Sequence, residues 1–488
     1  MVLTSCIYLT FLAVLLLMYY IFPKKIQWFL LLLFSLAFIV FSTSNISVYF
    51  YIAFVVLTSY IGSNLIGKAK SKKNKKTIQF ITVVIMVLQL VILKYINLIG
   101  TSTVNIINIF GANLNWNMLE IIVPLGISFY TLIAIGYVID VGRENVIPQK
   151  NIFKHTLFVL YFPQLTSGPF TRYPEMEKEL YEKHTFKLEN ICFGFQRLLW
   201  GIFKKLVISE RLAVVANTIF DNYTEYSGLG IVVGAVAFAI QLYTDFSGCM
   251  DIVLGTSQTL GVKLPENFNT PFFSRSIPEF WRRWHITLGA WFRDYLYFPL
   301  GGSRKGTIRT YINLMIIFLV SGIWHGTAWT FLIWGALNGI YSCLDRIINK
   351  NLAPILDRLR RFLGINKERN LYKFWQMLVT FTLTCFAFIY FRAETVIQAN
   401  SMVKNLFKIN ISVGNIGLSV SDLIIAILGI ILLFIISVLK QKYDIRKEIS
   451  KQHIIIRYAI WIILISSILI FGYYGIGYDA SNFLYQKF

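Results

Sequence analysis

The chain has 488 residues, of which 56% are hydrophobic and only 14% charged, against roughly 25% charged in an ordinary soluble domain. Apolar stretches of membrane-crossing length recur from end to end, which excludes a soluble globular enzyme and predicts an all-α polytopic membrane bundle. The formal net charge of +22 does not point to nucleic acid, because Lys and Arg cluster in short loops between apolar runs, the pattern of cytoplasmic loops facing anionic lipid.

Residues 2–22 are apolar, and Lys24 and Lys25 follow rather than precede them, which predicts a retained first span and no cleaved leader. Further spans are predicted at about 26–42, 46–66, 77–98 and 118–140. The basic loop 68–76, KAKSKKNKK, is the strongest orientation signal. Placed inside, it puts the amino terminus outside, together with the loop 99–117, which carries no Lys or Arg.

Residues 141–154 are polar and basic. The run HTLFVLYFPQLTSGPFTRYP that follows is interrupted by Pro163, Gly168 and Pro169, which predicts a bent re-entrant segment lining a cavity. Residues 172–190 read as surface. Apolar stretches resume at 192–217 and 228–255, and the second carries Gln241, Asp245, Ser247 and Asp251, polar enough to require a wet cavity or a partner. After the central stretch, 345–372 is basic and inside. Spans follow at about 373–391, 421–438 and 454–474. The alternation puts 394–420 and a tail, 475–488, outside. The total is roughly 11–12 spans. No internal repeat of the inverted-transporter kind is visible. The cysteines at 6, 192, 249, 343 and 385 lack any C-x-x-C spacing, so neither a disulfide framework nor a metal site is expected.

The chemistry concentrates in residues 277–339. This stretch holds His285, His325 and six of the eleven tryptophans: Trp281, Trp284, Trp291, Trp324, Trp329 and Trp334. Taken as one helix, 281–295 puts Trp281, Trp284, Leu288, Trp291, Phe292 and Tyr295 on one face, with Arg283 and Asp294 opposite, a helix lying along the membrane interface. His285 borders that aromatic face, either as a packing residue or as a functional one. His325 lies in a run from Met315 to Leu344 without charge. An ionisable group at that depth is a functional candidate, and a neutral imidazole there can take a proton from a hydroxyl; the alternative is a buried histidine satisfied by a neighbour. Ser321, Gly322 and Gly326 permit a break in the helix around it. The turn 301–306, with Arg304 and Lys305, either holds phosphates or is a solvated inside loop.

At these residues the chain resembles the membrane-bound O-acyltransferase (MBOAT) superfamily, in its bacterial alginate/peptidoglycan O-acetyltransferase-like branch. The matching pieces are PLGISFYTLIAIGYVIDV (124–141), YFPQLTSGPFTR (161–172), QLYTDFSGCMDI (241–252), LPENFNTPFFSRSIPEFWRRWHITLGAWFRDYLYFPLGG (264–302), SGIWHGTAWTFLIWGALNG (321–339) and FRAET (391–395). They run in family order over most of the chain.

The resemblance implies one membrane domain over 1–488, with core motifs in 121–345, and a tunnel where a cytoplasmic acyl donor meets an acceptor from the other side. His325 falls on the family's signature histidine, the catalytic base, and His285 on its second motif histidine. Trp284, Arg283, Asp294, Trp324 and Asp245 would line or support the tunnel, and Arg304 and Lys305 would touch the donor. The end of the chain, Phe483-Leu-Tyr485-Gln-Lys-Phe488, resembles the F-x-Y-x-x-F carboxy-terminal motif of this branch. There Tyr485 would relay the acyl group, or else anchor the tail at the interface.

The function implied is transfer of an acetyl group from acetyl-CoA, without a metal, towards an extracellular polysaccharide or cell-wall glycan. An SGNH-type extracellular acetyltransferase or similar membrane-anchored protein would be the partner. The localisation implied is multi-pass in a bacterial plasma membrane with both termini outside. D-alanyl transfer from a carrier protein to teichoic acid, acylation of a lipid or protein in the membrane plane, and a transporter or flippase without bond chemistry stand as the alternatives.

Overall fold

The structure, a computed structural model, describes residues 1–124, 126–352, 354–355, 358, 362, 366 and 369–474. Among them there is no strand, only an isolated bridge between Phe268 and Trp284. Eight helices are long and apolar enough to cross a membrane, and two shorter apolar helices join them. That accounts for ten candidates among the described residues, against the eleven or twelve expected. Among the described residues the chain divides into two compact units, 1–198 with 250–265, and 199–249 with 266–474.

The first unit opens with α1 (Cys6–Ile21), α2 (Gln27–Ser42), α3 (Ile46–Lys68) and α4 (Lys72–Ile109). Ser5, Asn45 and Ser71 begin three of them, each accepting a hydrogen bond from a first-turn amide, a cap that contributes about 1 kcal/mol. Here α4 differs from the expected span at 77–98. It continues to Ile109, through a stretch expected as an outside loop, and at 38 residues is about 57 Å long. Its polar end is held by Asn97, which pairs with Trp116 and Leu119.

The next helix, α5 (Ile127–Gly142), covers only the second part of the expected span at 118–140. Residues 112–124 carry no regular structure. Then α6 (Ile152–Leu160) and α7 (Phe162–Leu165) replace one straight span with two short pieces around Pro163. Phe162 packs edge-on against Phe11, 5.5 Å between centroids. His155 is fully buried, 2.8 Å from Ser59 Oγ, between the rings of Tyr60 and Tyr137. The amphipathic α8 (Tyr173–Tyr181) buries Tyr173, Met176 and Leu180.

The unit boundaries fall within α9 (Leu188–Phe203) and α11 (Leu229–Thr259). In the second unit a π-helical segment, Lys204–Ser209, leads into α10 (Glu210–Asp221). Its two lysines are buried. Lys204 Nζ donates to Ser247 Oγ at 2.9 Å, and Lys205 Nζ lies 2.7 Å from Glu210 and 2.5 Å from Asp245.

The expected single helix over 281–295 is broken. Instead α12 (Ile277–Arg283) ends at Trp284, His285 takes a left-handed conformation (φ 46°, ψ 51°), and α13 (Ile286–Phe292) runs into a π-helical turn, Arg293–Tyr297. The physical reason is competition from outside the helix. Residues 267–269 pair with 283–286, through Asn269 N to Arg283 O at 2.9 Å and Ile286 N to Asn267 O at 3.0 Å. The single aromatic face therefore does not exist.

The long apolar run then folds into a hairpin, α14 (Thr307–His325) and α15 (Trp329–Ile347), with the break at residues 326–328. Glycines let the two backbones touch: a Cβ on Gly322 would meet Phe331 O at 2.4 Å, and one on Gly335 would meet Phe318 O at 2.3 Å. The unit closes with α16 (Asn370–Arg392), α17 (Val396–Leu406), α18 (Val420–Lys440), α19 (Ile445–Ser450) and α20 (Ile454–Phe471). Arg211 holds the end of α20 by donating to Phe471 O at 2.6 Å while pairing with Asp422 at 3.1 Å.

Candidate active site

His325 is the last residue of α14, at the turn of the hairpin, and is 3% exposed. Three aromatic rings enclose it edge to face: Trp324 at 4.8 Å, Trp334 from α15 at 5.1 Å and 88°, and Phe391 from α16 at 5.2 Å. The hairpin puts the imidazole there because α14 must stop at Gly326, whose absent Cβ leaves room for the ring of Phe331. Arg392, next to Phe391, ties α16 to α10 through Asn217 at 2.8 Å and Asp221 at 3.2 Å, which fixes the height of Phe391 against His325.

His285, 2% exposed, approaches the same cluster from the other side. Its ring lies 4.8 Å from Phe246 of α11 and 6.2 Å from Trp324. Trp324 thus touches both histidines. His285 Nδ1 is 3.2 Å from Asn267 Oδ1. Burial holds the imidazole down to about 3, so it is neutral at physiological pH. Trp284 stacks on Phe280 at 5.4 Å and meets Phe388 at 5.9 Å; Phe388 in turn meets Phe391. His325, His285, Trp324 and Trp284 are therefore gathered by one aromatic cluster in the second unit.

The other sequence-predicted residues stand elsewhere. Asp245 is on α11 but pairs with Lys205 of the π segment. Arg283 pairs with Glu279 at 2.7 Å and donates to Thr270. Asp294 pairs with the neighbouring Arg293 at 3.2 Å. Arg304 and Lys305 are exposed in the turn before α14, at the opposite end of that 19-residue helix from His325, about 27 Å away along the axis. Tyr485 and the tail 475–488 lie outside the described residues. Three residues had no role in the sequence reading: Lys204, Lys205 and Asn267. Two lysines inside an apolar run were a readable signal for the first pair. Asn267 lay inside a quoted motif, but nothing local marks it. Among the described residues no group of three or more His, Cys, Asp or Glu gathers to hold a metal.

The arrangement offers two buried imidazoles in a low-dielectric aromatic enclosure. That is the setting in which a neutral histidine accepts a proton and a fixed donor stabilises developing charge strongly. The family model for membrane-bound O-acyltransferases matches residues 144–391, a span that contains the whole cluster. The chain belongs to the membrane-bound O-acyltransferase family. Within it, the chain is 37% identical over 315 residues to a Pseudomonas aeruginosa protein named "Probable alginate O-acetylase AlgI", covering 64% of this chain and 57% of that one. It is 34% identical over 328 residues to a Helicobacter pylori "Peptidoglycan O-acetyltransferase", covering 61% and 60%. A Bacillus subtilis "Teichoic acid D-alanyltransferase" is 26% identical over 279 residues, covering 55% and 69%. The chain spans less than two thirds of the length of the two acetyl-transferring relatives. The expected resemblance to this O-acyltransferase family and its alginate/peptidoglycan branch is thereby borne out.

Proposed function

We propose that this membrane protein is an O-acetyltransferase that moves an acetyl group from a cytoplasmic thioester, acetyl-CoA, towards an extracellular polysaccharide or cell-wall glycan. The observation that carries the reading is His325, a buried imidazole at the break of an apolar helical hairpin, inside the span that matches the family. The imidazole takes the proton of an acceptor hydroxyl, and the oxygen attacks the thioester carbonyl. The tetrahedral intermediate collapses with cleavage of the C–S bond. The sulfur leaves with the proton held by the imidazolium, giving an acetyl ester and free thiol. His285 assists from the other side of Trp324.

The basic turn with Arg304 and Lys305 is the proposed cytoplasmic contact for the donor's phosphates. Positive charge on inside loops supports that side. The first acceptor is Tyr485 or a serine of an extracellular SGNH-type or similar membrane-anchored partner, and both termini are proposed to lie outside in a bacterial plasma membrane. The closer likeness to acetyl-transferring relatives favours acetyl over D-alanyl transfer, and membership of an acyltransferase family favours bond chemistry over transport.

Purified protein incubated with labelled acetyl-CoA tests this. Label on the wild-type chain, lost in Tyr485→Phe, supports the tyrosine relay; thioester turnover that persists in Tyr485→Phe but vanishes in His325→Ala keeps the enzyme without the relay. A folded wild type that consumes no acetyl-CoA, but accepts D-alanine from a charged carrier protein, refutes the acetyl reading.

A further inference from the structure

Asn267 is completely buried, on the segment that interrupts the helix at His285. Its Oδ1 accepts from Thr287 N at 3.0 Å and from Thr287 Oγ1 at 2.9 Å, and lies 3.2 Å from His285 Nδ1. The backbone N–H of Thr287 can only donate, so the atom facing it is the amide oxygen and not the nitrogen. That oxygen cannot donate in turn. The hydrogen of the third contact is therefore on His285 Nδ1, and a neutral ring then presents a lone pair at Nε2.

The same residue holds the histidine's backbone. Asn267 O accepts from Ile286 N at 3.0 Å, so the first two amides of α13 are capped by Asn267 rather than by a side chain of the helix itself. That pairing keeps His285 in its left-handed conformation, which a β-carbon makes unfavourable. Phe246 and Trp324 then confine the plane of the ring.

We propose that Asn267 is a positioning residue that locks His285 in the Nδ1–H tautomer, so that His285 takes part in acyl transfer as a hydrogen-bond acceptor at Nε2 and not as a donor to the oxyanion. The role in transfer rests on the acetyltransferase reading above; the tautomer lock does not. His285 in this state accepts at Nε2 from an N–H or O–H of the bound substrates other than the attacking hydroxyl, whose one proton goes to His325, and leaves oxyanion stabilisation to other donors.

The test joins a spectroscopic and a kinetic readout. Protein labelled with ¹⁵N-histidine in detergent is recorded by NMR, with the His285 signals assigned by their loss in His285→Gln. The expected result is a protonated Nδ1 and an unprotonated Nε2 in the wild type. Asn267→Leu is expected to admit the Nε2–H tautomer. It should also lower kcat for acetyl transfer about 10- to 100-fold with KM for acetyl-CoA within about 2-fold, while Asn267→Asp, which keeps the acceptor oxygen, restores most of the rate. An Nε2-protonated wild type overturns the proposal, and that measurement needs no variant of Asn267 to fold. Equal loss in Asn267→Asp and Asn267→Leu, with the Nδ1–H tautomer kept in both, also overturns it. A locked tautomer in a protein that transfers no acetyl group refutes the acetyltransferase reading, and with it the role in transfer, while the lock itself stands.

Discussion

Replacing Lys205 by Met removes a buried positive charge that two carboxylates share. Its Nζ sits between Glu210 at 2.7 Å and Asp245 at 2.5 Å, and the side chains of Lys205 and Asp245 are 4% and 1% exposed. A cation so placed contributes little net stability against an apolar replacement of the whole group. Its removal alone is another matter, because two carboxylates then stay buried without the shared positive charge. Breaking a buried pair in this way costs about 3–5 kcal/mol. At roughly 2 °C per kcal/mol for a large chain, that is a fall in apparent Tm of about 6–10 °C. Thermal unfolding in detergent, followed by tryptophan fluorescence, measures it. Adding Asp245→Leu to Lys205→Met should recover part of the loss. A shift below about 2 °C in the single variant, or a double variant less stable than the sum of the two singles, would refute the argument that charge pairing governs this site.

Three further outcomes follow from the same structure. His155 and His285 are both buried neutral, held near 3 by desolvation, so the unfolded chain binds more protons below about pH 6.5 and their contribution is lost as pH falls from 6.5 towards 3. Between pH 7 and pH 5 each should cost about 2 kcal/mol of stability, and the pH slope of Tm should shrink in His155→Gln; an unchanged slope contradicts this. Gly322→Val and Gly335→Val place carbons against the carbonyls of Phe331 and Phe318, backbone atoms that cannot yield, so each should exceed the usual 1–3 kcal/mol of overpacking and abolish a monodisperse peak in detergent chromatography, whereas Gly289→Ala, whose added carbon meets only Trp281 O at 3.7 Å, should leave the peak intact. In Arg392→Lys the paired contacts to Asn217 and Asp221 are lost but the charge remains, and because α16 carries Phe391 against His325, turnover is expected to fall about 10-fold with little change in Tm; equal turnover would show that α16 is held by other means.

Much of this was legible in the chain because the bilayer demands it. Long apolar runs separated by lysine clusters mark the spans, and Gly326 after His325 marked the break that became the hairpin. The polar end of α4 was hidden, since residues such as Thr101, Thr103 and Asn105 carry no apolar periodicity, and the helix is held there by Asn97 with Trp116 and Leu119 and by Asn108 with Leu114. The break at His285 was hidden for a different reason. WRRWHITLGAW has neither proline nor an early glycine, and its spacing suits a continuous helix. Hydrogen bonds accepted by Asn267 and donated by Asn269, about fourteen to twenty residues upstream of their partners, interrupt it, and no local pattern reports on them. Lys204 and Lys205 were readable as charges in an apolar run, but their partners 40 residues further on were not. The candidate site was thus visible as two histidines and a set of tryptophans, while the element that orients one of those histidines was visible only in three dimensions.

The most direct test of the central proposal, that His325 is the base of an acyl transfer, is a single-turnover measurement with labelled acetyl-CoA on wild type and His325→Ala in liposomes. Binding of the thioester should persist in the variant, while transfer falls by about 10²- to 10⁴-fold, the range of a lost general base. Transfer at the wild-type rate in a folded His325→Ala protein would contradict the account.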